Sequence, residues 1–557
     1  MPTPNPTSVG PALSSGSPRG GYERMAARVR ESPDLIAAAL VVLGFCWRVW
    51  LAHATFFNTD EAWHYSVADQ DSLLAAYKAS LTLAHPPLMV FVLYFWRHLG
   101  TSDLMLRLPG VLAGTVFCWL FYKWLTVLFG RRAGWCGLIL TAFLPPMMTL
   151  SAELRQYSWM LMFAFSAAYF LERALDGNSA RMMLLSSVCL YLAMLSHYSA
   201  FLFAAGLGIY AILRMLSQRP AASVMASWVA GQVVGVGLAA ILYVTHIAKL
   251  SAVYPVARSL DRFGDFYISD WYFHAGRDRL LPFLYRGTFG VFRFTFGQTA
   301  LGQIATLLFI AGVAMLIRRG SSATGRPPRL IAVLLLIPFV LNWVAVIAGL
   351  YPYGRTRQCI FLGVFGLAGV SFAVSKIARN RAGPAAAVAL GIVVICQVFG
   401  TLQGRDLLPL AEQRHEHMDQ ALQYIRSNIS PEDVILTDRA TSFQLRHYLC
   451  RQDEAKVYRS GNGFEPFRCN DLRVVATGAN DGALTSENFV QELREMRSNL
   501  DLSSKTVWVV QGGWASGLGE ALRGRSQEFS ELQIHPFGRY LEVFKVPRAG
   551  SDPRSAR

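Results

Sequence analysis

Apolar stretches of roughly 15 to 25 residues recur along the first 400 residues, and they leave this chain few ways to fold. In hydrocarbon every backbone N–H and C=O must be satisfied within the segment, so a run of this length crosses a bilayer as a helix. The runs are 35–52, 104–128, 135–150, 158–175, 182–196, 200–216, 224–244, 300–317, 330–350, 360–374 and 385–399, about eleven spans. Charged residues make up 16% of the chain and hydrophobic ones 53%. Soluble domains carry roughly 25% charge, so one large soluble core is excluded. A shorter run, 88–99, has the length of an interfacial or re-entrant helix.

The net charge of +16 would suit nucleic acid, but its distribution argues otherwise. Lys and Arg collect in short loops between runs: Arg131 and Arg132, Arg181, Arg214 and Arg219, Arg318 and Arg319, Arg326 and Arg329, and Lys376, Arg379 and Arg381. With the N-terminus inside, each of these loops falls on the cytoplasmic side. The partner implied is membrane lipid, with no nucleic acid. Residues 1–33, rich in Pro, Ser and Gly and then Arg, read as a disordered cytoplasmic tail. The long loop 245–298 is outside despite its basic residues, because long loops escape the charge rule. Its aromatics suit surface-lying helices that form a lid or a structural cap.

Residues 34–404 therefore form a membrane domain. From residue 405 the composition becomes soluble. Helices over 412–427, 442–449 and 488–496 alternate with strands over 433–437, 472–476, 506–510 and 539–546, which predicts a small α/β domain over 405–547. Residues 548–557 read as a second disordered tail. Gly512-Gly513-Trp514 lacks dinucleotide-fingerprint spacing and reads as a turn. Six cysteines lie in or beside apolar runs and read as small hydrophobes. Cys450 and Cys469 lie in the polar tail and can pair if that tail is extracytoplasmic.

On this topology the polar motifs share the outer face. They are Asn58-Thr59-Asp60-Glu61-Ala62-Trp63-His64-Tyr65, His85-Pro86-Pro87, Glu153-Leu154-Arg155-Gln156-Tyr157, His197-Tyr198 and Tyr351-Pro352-Tyr353-Gly354-Arg355-Thr356-Arg357. Each alone has a plain reading: solvated helix-end acids, a proline-stiffened helix entry, a self-paired Glu-Arg bridge, an interfacial aromatic pair. Arg107 reads as a structural salt bridge or a snorkelling side chain.

Taken together, the Asp-Glu, His-Pro-Pro and Glu-x-Arg-Gln-Tyr motifs resemble the polyprenyl-phosphate-sugar-dependent glycosyltransferases of family 39. These are the protein O-mannosyltransferase-like and aminoarabinose-transferase-like enzymes. The resemblance covers roughly residues 34 to 405. It implies the C-type membrane fold, a polytopic α-helical protein with a small C-terminal extracytoplasmic α/β domain. It also implies an inner- or plasma-membrane enzyme that takes a sugar from a polyprenyl-phosphate donor to a hydroxyl on a protein, lipid or glycan acceptor.

Such transfer needs a base for the acceptor proton and a cation for the departing phosphate. The resemblance makes Asp60 the base, with Glu61 assisting it or capping a helix. It makes His85, Glu153, Arg155, Tyr157 and His197 substrate contacts, and His64 a sugar contact or an interface residue. Arg355 and Arg357 are first choice for the donor phosphate, ahead of Lys249 and Arg258. No cofactor is required, and no divalent metal is expected, since only Asp60 and Glu153 offer ligands. Two other readings stay open. A flippase would place essential charges near mid-span. An inactive relative would bind the donor as a scaffold without turning it over.

Overall fold

The computed structural model describes residues 33–249, 268–318, 326–378, 382–399, 413–450, 465–469, 471–476, 505–512, 518–524, 532–538 and 541–546. The expected tails, Arg258 and the helix over 488–496 lie outside them. Among the described residues seven helices are long and apolar enough to cross a membrane, or eight when the bent pair Arg131–Phe143 and Pro145–Ala152 is counted as one span. Reaching eleven requires Ala180–Ser196, Ala382–Phe399 and Tyr157–Asp176 to cross as well. The first two are short, and the third carries Glu172, Arg173 and Asp176 in its last turns.

Helices Pro33–Ala54 and Asp103–Phe129 run antiparallel, tied at both ends. Lys123 Nζ lies 2.6 Å from Asp34 Oδ2 at one end, and Arg107 Nη1 donates to the Ala52 carbonyl at 2.9 Å at the other. The bent pair packs beside them and has a clear chemical cause. Pro145 and Pro146 have no N–H, so the carbonyls of Thr141 and Ala142 lose their helical donors. The chain turns by 56° there. Arg48, fully buried in the first helix, replaces both donors: Nη2 reaches Thr141 O at 2.9 Å and Nη1 reaches Ala142 O at 3.0 Å. Its Nε donates to Ser151 Oγ at 2.8 Å. One arginine thus fixes the bend that delivers Glu153.

The short run seen in the sequence folds as helix Leu88–Trp96 with a 3-10 turn, Arg97–Leu99. It joins helix Thr59–Ala68 in a separate apolar cluster that includes Phe57, Ala62, Tyr65, Met89, Val90, Leu93 and Phe443. At the other end of the bundle, Glu172 and Asp176 pair with the buried Arg214 and Arg326, and Tyr210 donates to Glu172.

The C-terminal part is a six-stranded mixed sheet in the order β2-β3-β1-β4-β6-β5. Its strands are β1 Val434–Thr437, β2 Glu465–Cys469, β3 Leu472–Ala476, β4 Val507–Gly512, β5 Gln533–Pro536 and β6 Leu541–Val546. β1 pairs in parallel with β3 and β4, and the outer strands pair antiparallel. The parallel centre is mostly Val, Ile and Leu, as strands covered on both faces require. β2 and β5 are short outer strands without apolar alternation, so the sequence pattern does not reveal them. Helices His415–Asn428 and Arg439–Tyr448 accompany the sheet. Cys450 and Cys469 form a disulfide that links the end of the second helix to β2.

Candidate functional site

The site begins with a capped helix. Asn58 Oδ1 accepts from Glu61 N at 3.0 Å, and Asn58 N donates back to Glu61 Oε2 at 2.9 Å, a reciprocal capping box. Glu61 has further partners. Arg107 grips both its oxygens at 2.7 Å, Leu154 N donates to Oε1 at 2.6 Å, and Gln413 Nε2 reaches Oε2 at 3.3 Å. Fully buried and surrounded by donors, Glu61 has no lone pair left for a substrate proton. The geometry shows the cap, one of its two expected roles. Arg107 is the structural ion pair expected of it. Because Leu154 sits between Glu153 and Arg155, Glu61 also aligns the second motif against the first.

Asp60 turns the other way, into a charged cluster. Its Oδ2 lies 2.7 Å from Arg155 Nη1 and 2.6 Å from Arg357 Nη2, and Arg357 Nη1 stands 4.0 Å from Glu153 Oε2. The three partners are nearly buried, while the Asp60 side chain is 24% exposed. Asp60 is therefore the member of the group that solvent reaches. Burial pushes its carboxyl up, but Arg155 and Arg357 outweigh this and hold it at about 2. Glu153 goes the other way. Burial and the nearby Glu61 charge raise it to about 7, against the pull of Arg357 and Arg155.

A set of rings adjoins the carboxylates. His85 stands 5.8 Å from His64 and 5.2 Å from His197, both stacked, and Tyr157 lies 5.0 Å from His197. Arg155 sits over Tyr157 at 5.7 Å. Burial, reinforced by Arg155, lowers His64 and His197 to about 3, and burial also takes His85 well down, so all three are neutral. His64 Nδ1 donates to the Asp60 carbonyl at 2.6 Å, which leaves Nε2 as an acceptor. His197 Nδ1 accepts from Ser199 N at 3.1 Å, which puts the proton on Nε2. His64 Nε2, His85 Nδ1, Glu153 Oε2 and both amide atoms of Gln156 are buried without a hydrogen-bond partner in the protein. Buried polar atoms are normally satisfied, and these leave donors and acceptors open beside the carboxylates and rings.

The sequence-selected residues Asp60, His85, Glu153, Arg155, Tyr157, His197 and Arg357 thus converge, along with His64. Arg355 lies on the same loop as Arg357, half-buried, with its backbone against Gly290. The loop bends at Gly354, whose φ of +150° and contact with the Trp271 ring leave no room for a side chain. Lys249 is exposed, 6.0 Å from the Tyr77 ring. Among the described residues no three His, Cys, Asp or Glu side chains are arranged to hold a metal ion. The sequence reading passed over Gln156, Arg48 and Gln413. An arginine inside an apolar run was a visible signal for Arg48, since intramembrane charges are costly. Gln156 lies inside the Glu-x-Arg-Gln-Tyr motif, whereas Gln413 carries no local signal.

Residues 84–246 match the family model described as dolichyl-phosphate-mannose-protein mannosyltransferase. A search of curated proteins gives no significant match. Among solved structures, apo ArnT from Cupriavidus metallidurans superposes with a TM-score of 0.51 at 12% identity, covering 93% of this chain and 98% of its own. ArnT bound to undecaprenyl phosphate gives 0.49 at 12% identity, covering 92% and 97%. The oligosaccharyltransferase of Archaeoglobus fulgidus, in complex with Zn and sulfate, gives 0.48 at 14%, covering 90% and 72%. The chain therefore has the C-type membrane glycosyltransferase fold, and its segment 84–246 matches the mannosyltransferase family model.

Proposed function

We propose that this protein is a membrane glycosyltransferase that moves a sugar from a polyprenyl-phosphate donor to an acceptor hydroxyl at the non-cytoplasmic face. The observation that carries the reading is the convergence of Asp60, Glu153, Arg155 and Arg357 in one nearly buried cluster beside neutral imidazoles. The matched family takes its name from a dolichyl-phosphate-linked mannose donor, and that supports the donor class.

In the reading, the donor phosphodiester enters between Arg155 and Arg357. Those guanidiniums now neutralise Asp60, and turning toward the phosphate they release its carboxylate. Asp60 then accepts the proton of the acceptor hydroxyl as the oxygen forms its bond to the anomeric carbon. The bond to the phosphate oxygen breaks, and the arginines stabilise the leaving anion. The unpartnered atoms of His64, His85 and Gln156 hydrogen-bond the sugar hydroxyls. Proteins, lipids and glycans all fit the acceptor role, and a hexose or pentose fits the sugar site.

The test is a membrane assay with a panel of radiolabelled polyprenyl-phosphate sugars, following label into protein, lipid and polysaccharide fractions. Transfer of one sugar by the wild type and its loss in Asp60→Asn supports the reading. Absence of transfer across the panel, with label crossing the membrane on its lipid instead, would favour a flippase.

A further inference from the structure

The turn that presents Asp60, residues 55–58, is held from the membrane domain by Arg107, which donates to the carbonyls of Thr55 and Phe56. Further backbone partners come from the C-terminal domain. Thr55 pairs with Arg414 in an isolated antiparallel bridge. Phe56 N donates to the Gln413 carbonyl at 2.9 Å, and Gln413 Nε2 donates back to Phe56 O at 2.6 Å. Gln444 Nε2 donates to Phe57 O at 2.8 Å, and Phe57 N donates to the Tyr448 hydroxyl at 2.6 Å. Both polar groups of Phe56 and both of Phe57 thus have partners from residues 413–448.

The holding residues are themselves anchored to the membrane domain. The Tyr448 hydroxyl donates to Asp103 Oδ2 at the start of helix Asp103–Phe129. His447 Nε2 lies 2.8 Å from Asp103 Oδ1, and His415 Nε2 lies 3.1 Å from Oδ2. Phe443 stacks on Trp63 at 6.1 Å, one turn past Asp60, and His447 stacks on Phe57 at 4.7 Å. A four-residue turn leading out of a helix has many conformations open to it. Fixing it removes that freedom, and the placing of a catalytic group to within an ångström is worth large factors in rate.

We propose that Gln413, Gln444 and Tyr448 are positioning residues for Asp60, so that the C-terminal domain is a working part of the transfer site. The proposal rests on the functional reading above only in taking Asp60 as the base; the clamp itself is independent of the chemistry. These residues touch neither donor nor acceptor. They set where the Asp60 carboxylate stands.

The test uses the full chain in detergent or nanodiscs, with Gln444→Glu and Tyr448→Phe. Gln444→Glu puts an acceptor against the Phe57 carbonyl, and Tyr448→Phe removes the oxygen that Phe57 N meets. Two quantities are read: transfer kinetics and backbone hydrogen exchange over residues 55–68. We expect kcat to fall about 10- to 100-fold, donor KM to stay within about twofold, and exchange over 55–68 to quicken. Exchange in β1 and β4 reports in the same experiment that the sheet is folded; where Gln444→Glu disturbs it, Tyr448→Phe decides. Glu542→Gln, which loosens Arg523 elsewhere in the domain, leaves both readouts at wild type. Unchanged exchange over 55–68 in both variants overturns the proposal, whatever the activity. A wild type that binds donor and never transfers it overturns the functional reading instead, while the exchange data still judge the clamp.

Discussion

Arg357 donates from Nη2 to Asp60 Oδ2 at 2.6 Å, across 297 residues of sequence. Arg155 meets the same oxygen, so two cations crowd one carboxylate atom. A carboxylate held this way is a poor base until its cations find another anion. Substituting Asp60→Asn keeps the shape and removes the proposed base. Transfer should fall by about 10²–10⁴-fold, with membrane insertion and thermal unfolding near wild type. Transfer at the wild-type rate would take Asp60 out of the mechanism.

The arginine should matter through both binding and chemistry. Arg357→Ala is expected to weaken donor binding and to lower kcat by roughly 10²–10³-fold, the range seen when one charge-stabilising donor is lost. Arg357→Lys should recover only part of this, because an ammonium cannot reproduce the planar fork. The comparison is made by titrating donor against each variant and then measuring single-turnover transfer. Equal donor affinity in all three proteins would place the phosphate elsewhere.

Glu153 gives a pH prediction with a definite sign. Its carboxyl is raised to about 7 by burial and by Glu61, so below neutrality it is largely protonated. The pocket then holds two guanidiniums against the Asp60 carboxylate and is net positive. Above about 7 Glu153 ionises and the excess disappears. The donor is a phosphodiester and does not titrate in this range. Donor KM should therefore rise as pH increases through 7, and Glu153→Gln should flatten that rise. An unchanged KM profile in the variant would assign the ionisation to another group.

Two buried arginine contacts should prove structural rather than catalytic. Glu61→Ala leaves Arg107 buried without its carboxylate, a change that costs about 3–5 kcal/mol in comparable buried pairs. Arg48→Met strips the donors from the Thr141 and Ala142 carbonyls, at about 1–3 kcal/mol for each group left bare. Both variants should lower thermal stability in detergent. Any that remains folded should keep its donor affinity closer to wild type than Arg357→Ala does. Stability equal to wild type would mean that water or a neighbouring side chain takes over these bonds.

Much of this was readable in the residues. Apolar length located most helices of the bundle, but Leu280–Phe296, which packs into the core, lies inside a stretch that reads as a surface loop. The motifs around Asp60, His85, Glu153, His197 and Arg357 contain residues that the structure brings together. Asn58-x-x-Glu61 also carries the spacing of a capping box, and that local rule separates Glu61 from its neighbour. Which of Arg355 and Arg357 meets Asp60 was not legible. It depends on a bend at Gly354 packed against Trp271, which nothing nearby in the sequence announces. Gln413 and Gln444 were invisible for a related reason. An uncharged amide in a soluble stretch has no periodicity or charge pattern, and its role exists only once two distant parts of the chain meet.

The prolines at 145 and 146 have an effect that reaches beyond the bend itself. Without them the helix would run on straight from Arg131, and Glu153 and Arg155 would be carried off along its axis. The break lets a segment buried among other helices surrender two amide protons and accept Arg48 of helix Pro33–Ala54 in exchange. Helix Pro33–Ala54 therefore serves as the template against which the bent pair kinks. A substitution that straightened the kink would leave Asp60 correctly capped and facing an empty place where its partners should be.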